Sequence, residues 1–187
     1  MGVSTAESVV VLGMGTAGLL HARLAVLTGA TPVIAVSRSQ WKLDMAQRMG
    51  VHHAIQARVE EAIDEVKRLT GGKGADVVID AAGSAESLGA AMEMLRPGGR
   101  FSAFAVSHET VRGFSTFPLY FGEISIIGSR ALTPQDMNPS IQLIASGAVD
   151  VQGFISAKYP LTDTAAAFEE YERNPSRILR LVIDSQG

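Results

Sequence analysis

The apolar positions of this chain come as short runs that switch between two periods. Ser8–Leu12 is apolar at consecutive positions after its serine, the pattern of a strand covered on both faces. From Gly15 to Thr28 the spacing becomes helical, and Gly29 closes it. Pro32–Val36 predicts a second strand, with its proline at the first residue, where no ladder bond is required. Ser39 then stands at the cap of a helix in which Trp41, Met45 and Met49 recur every four residues, ending at Gly50. Ala54–Gln56 predicts a short third strand, and Val59–Leu69 an amphipathic helix with Val59, Ile63 and Val66 inward.

The alternation continues. Gly71–Gly74 turns the chain into the apolar strand Asp76–Asp80, and a helix from Ala85 to Leu95 follows, capped by Ser84 with Glu86 in its first turn. Arg96-Pro97-Gly98-Gly99 predicts a turn, Arg100–Val106 a strand, Ser107–Pro118 an irregular loop, Leu119–Gly122 a helical turn and Ile124–Gly128 another strand. Strand and helix in this order predict an α/β fold, a doubly wound parallel sheet, over residues 1–131. The rhythm changes after Arg130. Thr133–Asn138 predicts a turn, Asn138-Pro139 starts a helix that Gly147 stops, Val149–Tyr159 is strand-like, Thr162–Tyr171 helical and Ile178–Ile183 a last strand. Residues 132–187 thus form a C-terminal α/β appendage too short for a core of its own.

The junction of the first strand and helix carries the chemistry. Gly13-Met14-Gly15-Thr16-Ala17-Gly18 is a Gly-x-Gly-x-x-Gly turn. Gly13 permits the tight exit from the strand, Gly15 lets the backbone approach a pyrophosphate, and Gly18 lets helix and strand pack closely. The diphosphate would sit at the positive end of the helix. Such a turn points to a bound dinucleotide, as in a Rossmann fold, although methyltransferases and flavoproteins use similar turns. A ribose-binding acid is expected about 20 residues further on. The chain has Ser37-Arg38-Ser39 there, with Lys42 one helical turn later. A small neutral residue followed by arginine removes repulsion of a 2′-phosphate and offers it a planar cation, which favours NADP over NAD. The missing acid also weakens the methyltransferase reading. Arg38 as a solvated side chain, or stacked on adenine, is the plainer alternative. Ala81, Ala82 and Gly83 after the fourth strand, Val106 and Ser107 after the fifth, and Gly128, Ser129 and Arg130 after the sixth would complete the crevice.

Composition narrows the classes. With 47% apolar and 19% charged residues among 187, the chain can bury a sizeable core. A net charge of −3 gives no case for nucleic acid or an anionic membrane, and no apolar stretch reaches the ~20 residues that span a bilayer. The N-terminus shows no export signal, so a cytoplasmic protein is expected. The absence of cysteine rules out thiolate chemistry and cysteine-ligated zinc within this chain. Of the four histidines, His21, His52 and His53 read as packing or surface residues rather than metal ligands, since the adjacent pair would point to opposite faces of an extended chain. His108, with Glu109 beside it, falls near the nicotinamide end, where a proton carrier could act. Asp80 reads as a cap of the next turn. Gly71–Gly74 precedes its strand, so it is not a Walker-type loop.

Several segments in the same order carry a resemblance. VVVLGMGTAGLL (9–20), AQRMGVHHAI (46–55), GGKGADVVIDAAGS (71–84), LRPGGRFSAFAV (95–106), ISIIGSR (124–130) and LIASGAVD with YPLTDTAAAFE (143–169) resemble the C-terminal half of a medium-chain dehydrogenase/reductase. The nearest group is the zinc-type alcohol, sorbitol and threonine dehydrogenases. The resemblance implies NAD(P) on residues 13–18, Ser37 at the ribose-acid position, Lys42 near the ribose, and Arg180, or Arg177 in another register, as a cation on the pyrophosphate. It implies a homodimer through the edge strand Ile124–Arg130, which an exposed apolar edge would independently favour. It also implies that a separate catalytic domain, with zinc ligands and proton relay, lies outside this chain, and that residues from about 132 return to that domain. The chain alone is then expected to bind nucleotide without oxidising alcohols. The parent could instead be a zinc-free quinone or enoyl reductase, or the chain a non-catalytic NAD(P)-binding module.

Overall fold

The computed structural model describes residues 2–108 and 114–186, which divide into two compact units between Met137 and Asn138. The first unit contains β1 (Val9–Leu12), α1 (Thr16–Leu27), β2 (Val33–Ser37), α2 (Gln40–Arg48), β3 (His53–Gln56), α3 (Ile63–Leu69), β4 (Ala75–Asp80), α4 (Ala85–Met94), β5 (Leu95–Ala103), α5 (Phe117–Gly122) and β6 (Ser125–Gly128). Its sheet has six strands in the order β3-β2-β1-β4-β5-β6, and every neighbouring pair is parallel. This is the doubly wound order of the Rossmann fold, so the sequence expectation of fold class is met. Because β1 lies beside both β2 and β4, the winding reverses there and leaves a crevice at the carboxyl ends of β1 and β4.

The consecutive apolar run of β1 is explained by its place in the middle. All four of its residues are fully buried. Val10 and Leu12 share one face with Ile34, Val36 and Val78, packed under Val66 of α3 and Ala90, Ala91 and Met94 of α4. On the opposite face α1 buries Leu19, Ala22 and Ala25, and α2 buries Leu43. Each fully buried valine or leucine contributes about 1.5–3 kcal/mol.

The amino edge of the sheet is pinned by polar contacts. Asp76 accepts the Ser8 amide at 2.7 Å, the Ser8 hydroxyl at 2.6 Å and Arg96 Nε at 2.6 Å. Arg100 donates to Glu7 at 2.7 Å beside it. The Gly71–Gly74 loop lies at this same edge, leading into β4, away from the carboxyl ends. A Cβ on Gly74 would stand 2.7 Å from the Arg96 amide nitrogen, which gives that glycine a packing role.

Several elements differ from the sequence expectation. The Arg96–Gly99 turn is absorbed into β5 as a bulge, between the pairs Ala75–Leu95 and Val77–Arg100. Gly98, at φ +75°, and the Arg96–Asp76 contact let the extra residues loop out of the ladder. At its other end β5 stops at Ala103, because the amides of Phe104 and Ala105 both turn to the Asp80 carbonyl. Val106 and Ser107 therefore lie in the loop beyond the strand. The helix expected from Asn138 begins earlier, as α6 (Pro134–Ala145), with Pro134 at its first position, the Asp136 carboxylate accepting the Thr133 amide and hydroxyl, and Pro139 inside.

The second unit continues from α6 into β7 (Ile155–Pro160), α7 (Thr164–Arg173) and β8 (Arg180–Asp184). Of the strand-like stretch 149–159, the first part is a 3-10 turn at Gln152–Phe154 and only the rest is extended. β7 and β8 pair in parallel as a two-stranded sheet. Val149, Phe154, Ala167, Ile178 and Leu179 are buried, whereas Ile141, Ile144, Leu161 and Phe168 are exposed.

Candidate functional site

The glycine turn sits at the reversal of the sheet, and its geometry separates the three glycines. Gly13 leaves β1 at φ +86°, its amide donating to the Val36 carbonyl at 2.9 Å. A Cβ there would press on Ala82 at 3.0 Å. A Cβ on Gly18 would lie 1.8 Å from the Gly13 carbonyl oxygen and 3.5 Å from Ala81 Cβ, so helix and turn touch with no room between them. Gly15 is different: a Cβ there meets nothing within 4 Å, and no side chain caps the helix it precedes. Gly13 and Gly18 are thus needed by the fold, while Gly15 keeps open the space in front of the first turn of α1. Met14 is buried; Thr16 and Ala17 begin the helix, half-buried.

Beside the turn, β2 ends in Ser37, one residue beyond the carbonyl that holds Gly13. The Ser37 hydroxyl accepts the Ser39 amide at 3.2 Å, which tightens the Ser37–Ser39 turn. Ser39 occupies the cap position of α2 as expected, but its side chain makes no cap bond. Arg38 is exposed, and no ion pair to it occurs among the described residues. Lys42 is half-buried with its ammonium 5.5 Å from the Trp41 ring centroid, and burial lowers its pKa from the ordinary lysine value. The structure adds Gln56, which the sequence marked only as the end of a strand. It ends β3 in register with Ser37, and its Nε2 donates to the Arg38 carbonyl at 3.4 Å.

Across the crevice, Ala81 and Ala82 follow β4. The buried Asp80 side chain accepts the amides of Ala82 at 2.9 Å and Gly83 at 3.0 Å, so this carboxylate is committed to the turn, as expected for a cap. Gly83 lies so close to the loop after β5 that a Cβ on it would meet Ala105 Cβ at 2.9 Å. Val106 projects from that loop at 84% exposure. Ser129 follows β6 and donates from its amide to the Ala103 carbonyl at 3.2 Å. Residues 13–18, 37, 38, 42, 81, 82, 106 and 129 therefore all fall at or beyond the carboxyl ends of parallel strands. Arg180 and Arg177 belong to the second unit, at the start of β8 and just before it, and both are exposed.

The histidines are accounted for by packing or exposure. His21 in α1 meets the Phe104 ring edge-on at 4.4 Å, and burial lowers its pKa from the ordinary histidine value. His52 Nδ1 accepts the Val33 amide at 3.1 Å. His53 and His108 are exposed, and Glu109 lies outside the described residues. Among the described residues, no three His, Asp or Glu side chains come together as a metal site. No helix among them is long and apolar enough to cross a membrane.

Comparison with known proteins gives the family and agrees with the fold. The model of a zinc-binding dehydrogenase family matches residues 16–146. The chain belongs to that family. It is 32% identical over 181 residues to an alcohol dehydrogenase of Cupriavidus necator, covering 95% of this chain and 49% of that protein. It is 33% identical over 172 residues to a probable D-xylulose reductase A of Aspergillus fumigatus, covering 90% of this chain and 48% of the relative. Among solved structures, the alcohol dehydrogenase TADH from Thermus sp. ATN1 superposes with a TM-score of 0.86 at 28% identity, over 97% of this chain and 52% of that one. The chain thus spans about half the length of the relatives it matches, and those relatives are oxidoreductases.

Proposed function

We propose that this chain is the nucleotide-binding portion of an alcohol dehydrogenase-type oxidoreductase and that it binds a nicotinamide dinucleotide, NADP in preference to NAD, along the carboxyl edge of its sheet. The observation that carries this reading is the open space before Gly15, kept by a turn in which Gly13 and Gly18 are sterically fixed. A pyrophosphate suits that space, since the first-turn amides of a helix have no intrahelical acceptor and its N-terminus is positive. Residues 13–18 would hold the pyrophosphate, Ala81 and Ala82 the adenosine half, and Val106 and Ser129 the nicotinamide end. When bound, the nicotinamide supplies hydride donor and acceptor chemistry. The residues of this chain bind and orient it.

Preference for NADP rests on Ser37, which brings no charge to the ribose edge, and on Arg38, which is exposed with no ion pair among the described residues. A guanidinium can bind a 2′-phosphate through two parallel bonds. The described residues do not assemble a zinc site, so zinc and substrate chemistry are assigned to a further domain of the parent protein. The matched relatives, alcohol and polyol dehydrogenases about twice as long, favour this over the quinone reductase alternative. The exposed Ile141, Ile144, Leu161 and Phe168 of the second unit support a return of residues 132–187 to such a domain. A homodimer through the open edge of β6 completes the proposal.

Calorimetric titration with NADPH and NADH tests it. The wild type is expected to bind NADPH more tightly, and Arg38→Ala is expected to cost NADPH affinity by about 1.5–3 kcal/mol while sparing NADH. Equal loss for both cofactors would refute the 2′-phosphate role, and no binding of either would refute the site.

A further inference from the structure

The ribose edge of the crevice is braced from the neighbouring strand. β3 lies outside β2 in the sheet, and its last residue, Gln56, is in register with Ser37. The next amide, of Ala57, donates to the Ser37 carbonyl at 3.2 Å. Within the turn, the Ser39 amide donates to the Ser37 hydroxyl at 3.2 Å. The Ser39 amide and the Arg38 carbonyl belong to one planar peptide, so the Ser37 hydroxyl holds that peptide from its N–H side only. The Gln56 side chain holds the other side of that peptide, donating from Nε2 to the Arg38 carbonyl at 3.4 Å.

We propose that Gln56 is a positioning residue for cofactor selectivity, fixing the backbone from which the Arg38 guanidinium projects. The inference rests on the 2′-phosphate reading above. Arg38 is exposed and rotamer-rich, so ordering it for a bidentate contact has an entropic cost. A backbone held at its root from one side only spreads the guanidinium over more positions than one held from both and raises that cost. NADH has no 2′-phosphate and makes no use of the guanidinium, so bracing the Arg38 carbonyl affects one cofactor and not the other. The signature of positioning is therefore a change in the ratio of two affinities, which a general loss of structure would not produce.

The test is calorimetric titration of the full chain with NADPH and NADH, for wild type, Gln56→Met, Arg38→Ala and the double variant. Methionine keeps the length of the side chain and removes the donor. Gln56→Met is expected to weaken NADPH about three- to tenfold, the range of one hydrogen bond, with NADH binding and thermal midpoint unchanged. On the Arg38→Ala background the same substitution is expected to have no further effect on NADPH, since nothing is left to position. Equal losses for the two cofactors, or additive losses in the double variant, overturn the positioning role. If Arg38→Ala removes the preference and Gln56→Met does not alter it, only the role of Gln56 falls. If Arg38→Ala leaves the NADPH-to-NADH ratio unchanged, or the wild type binds neither nucleotide, the 2′-phosphate reading falls and this inference with it.

Discussion

Two glycines of the turn are required by the fold, whereas the third has room for a side chain and is the one proposed to admit a ligand. At Gly18 an added Cβ would sit 1.8 Å from the Gly13 carbonyl oxygen, so Gly18→Ala must push α1 off β1. A loss of about 1–3 kcal/mol in chemical denaturation is expected, the range of overpacked core sites. At Gly15 the added Cβ meets nothing, and the backbone lies at φ −75°, open to any residue. Gly15→Ala is therefore expected to unfold within about 0.5 kcal/mol of wild type, as surface changes do, while calorimetry shows at least a tenfold loss of NADPH affinity. Retained affinity in Gly15→Ala would mean that no ligand approaches the backbone there.

At the level of elements, the two ends of the sheet have different duties. The carboxyl ends present the glycine turn and exposed residues such as Arg38 and Val106; the amino ends are tied together. Asp76 joins the start of β4 to Ser8 before β1 and to Arg96 in the bulge of β5. Burial raises its pKa, but the hydrogen bonds from the Ser8 hydroxyl and amide and from Arg96 outweigh that and hold the carboxyl below its ordinary value. The hydrogen bond from Arg100 likewise lowers Glu7. With folded values below the unfolded ones, the unfolded chain binds more protons in the window between them, so stability rises with pH there. Their contribution is complete above the ordinary carboxylate range of about 4 and is lost as pH falls through the folded values. Asp76→Ala leaves three donors without their acceptor and is expected to cost about 2–4 kcal/mol at pH 7. Urea melts from pH 7 to pH 3 should show the variant losing less stability than wild type over the acid part of the range. A parallel decline would assign the acid sensitivity to other groups.

For the whole molecule the open question is what covers its apolar surface. β6 is an edge strand, and Ile126 on it is 42% exposed, with Phe117, Tyr120 and Phe121 exposed on the preceding helix α5. An unpaired apolar edge is a template for a second strand, which supports the proposed homodimer. Ile126→Lys places a charge at that edge and is expected to shift sedimentation equilibrium toward monomer without changing NADPH affinity. A wild-type chain that sediments as a monomer at micromolar concentration would remove the proposal.

How much of this was legible before any coordinates follows from the range of the forces involved. The glycine turn, the neutral Ser37-Arg38 pair, the alternation of strand and helix and the kinship with zinc-type dehydrogenases are properties of short segments. Local backbone sterics and the period of burial write them directly into the residues. Strand ends moved where a distant partner decided them: β5 closes at Ala103 because Asp80, more than twenty residues earlier, takes the next two amides. The Arg96–Gly99 turn became a bulge because Asp76 holds Arg96. Gln56 was invisible as a site residue, since its partner lies 18 positions away and only the sheet order brings them together. The sequence by itself determined which elements form and which chemistry the first turn favours. Only the tertiary structure decided which of its glycines leaves room for a ligand and which residue braces Arg38, because packing and parallel pairing join residues that the chain keeps far apart.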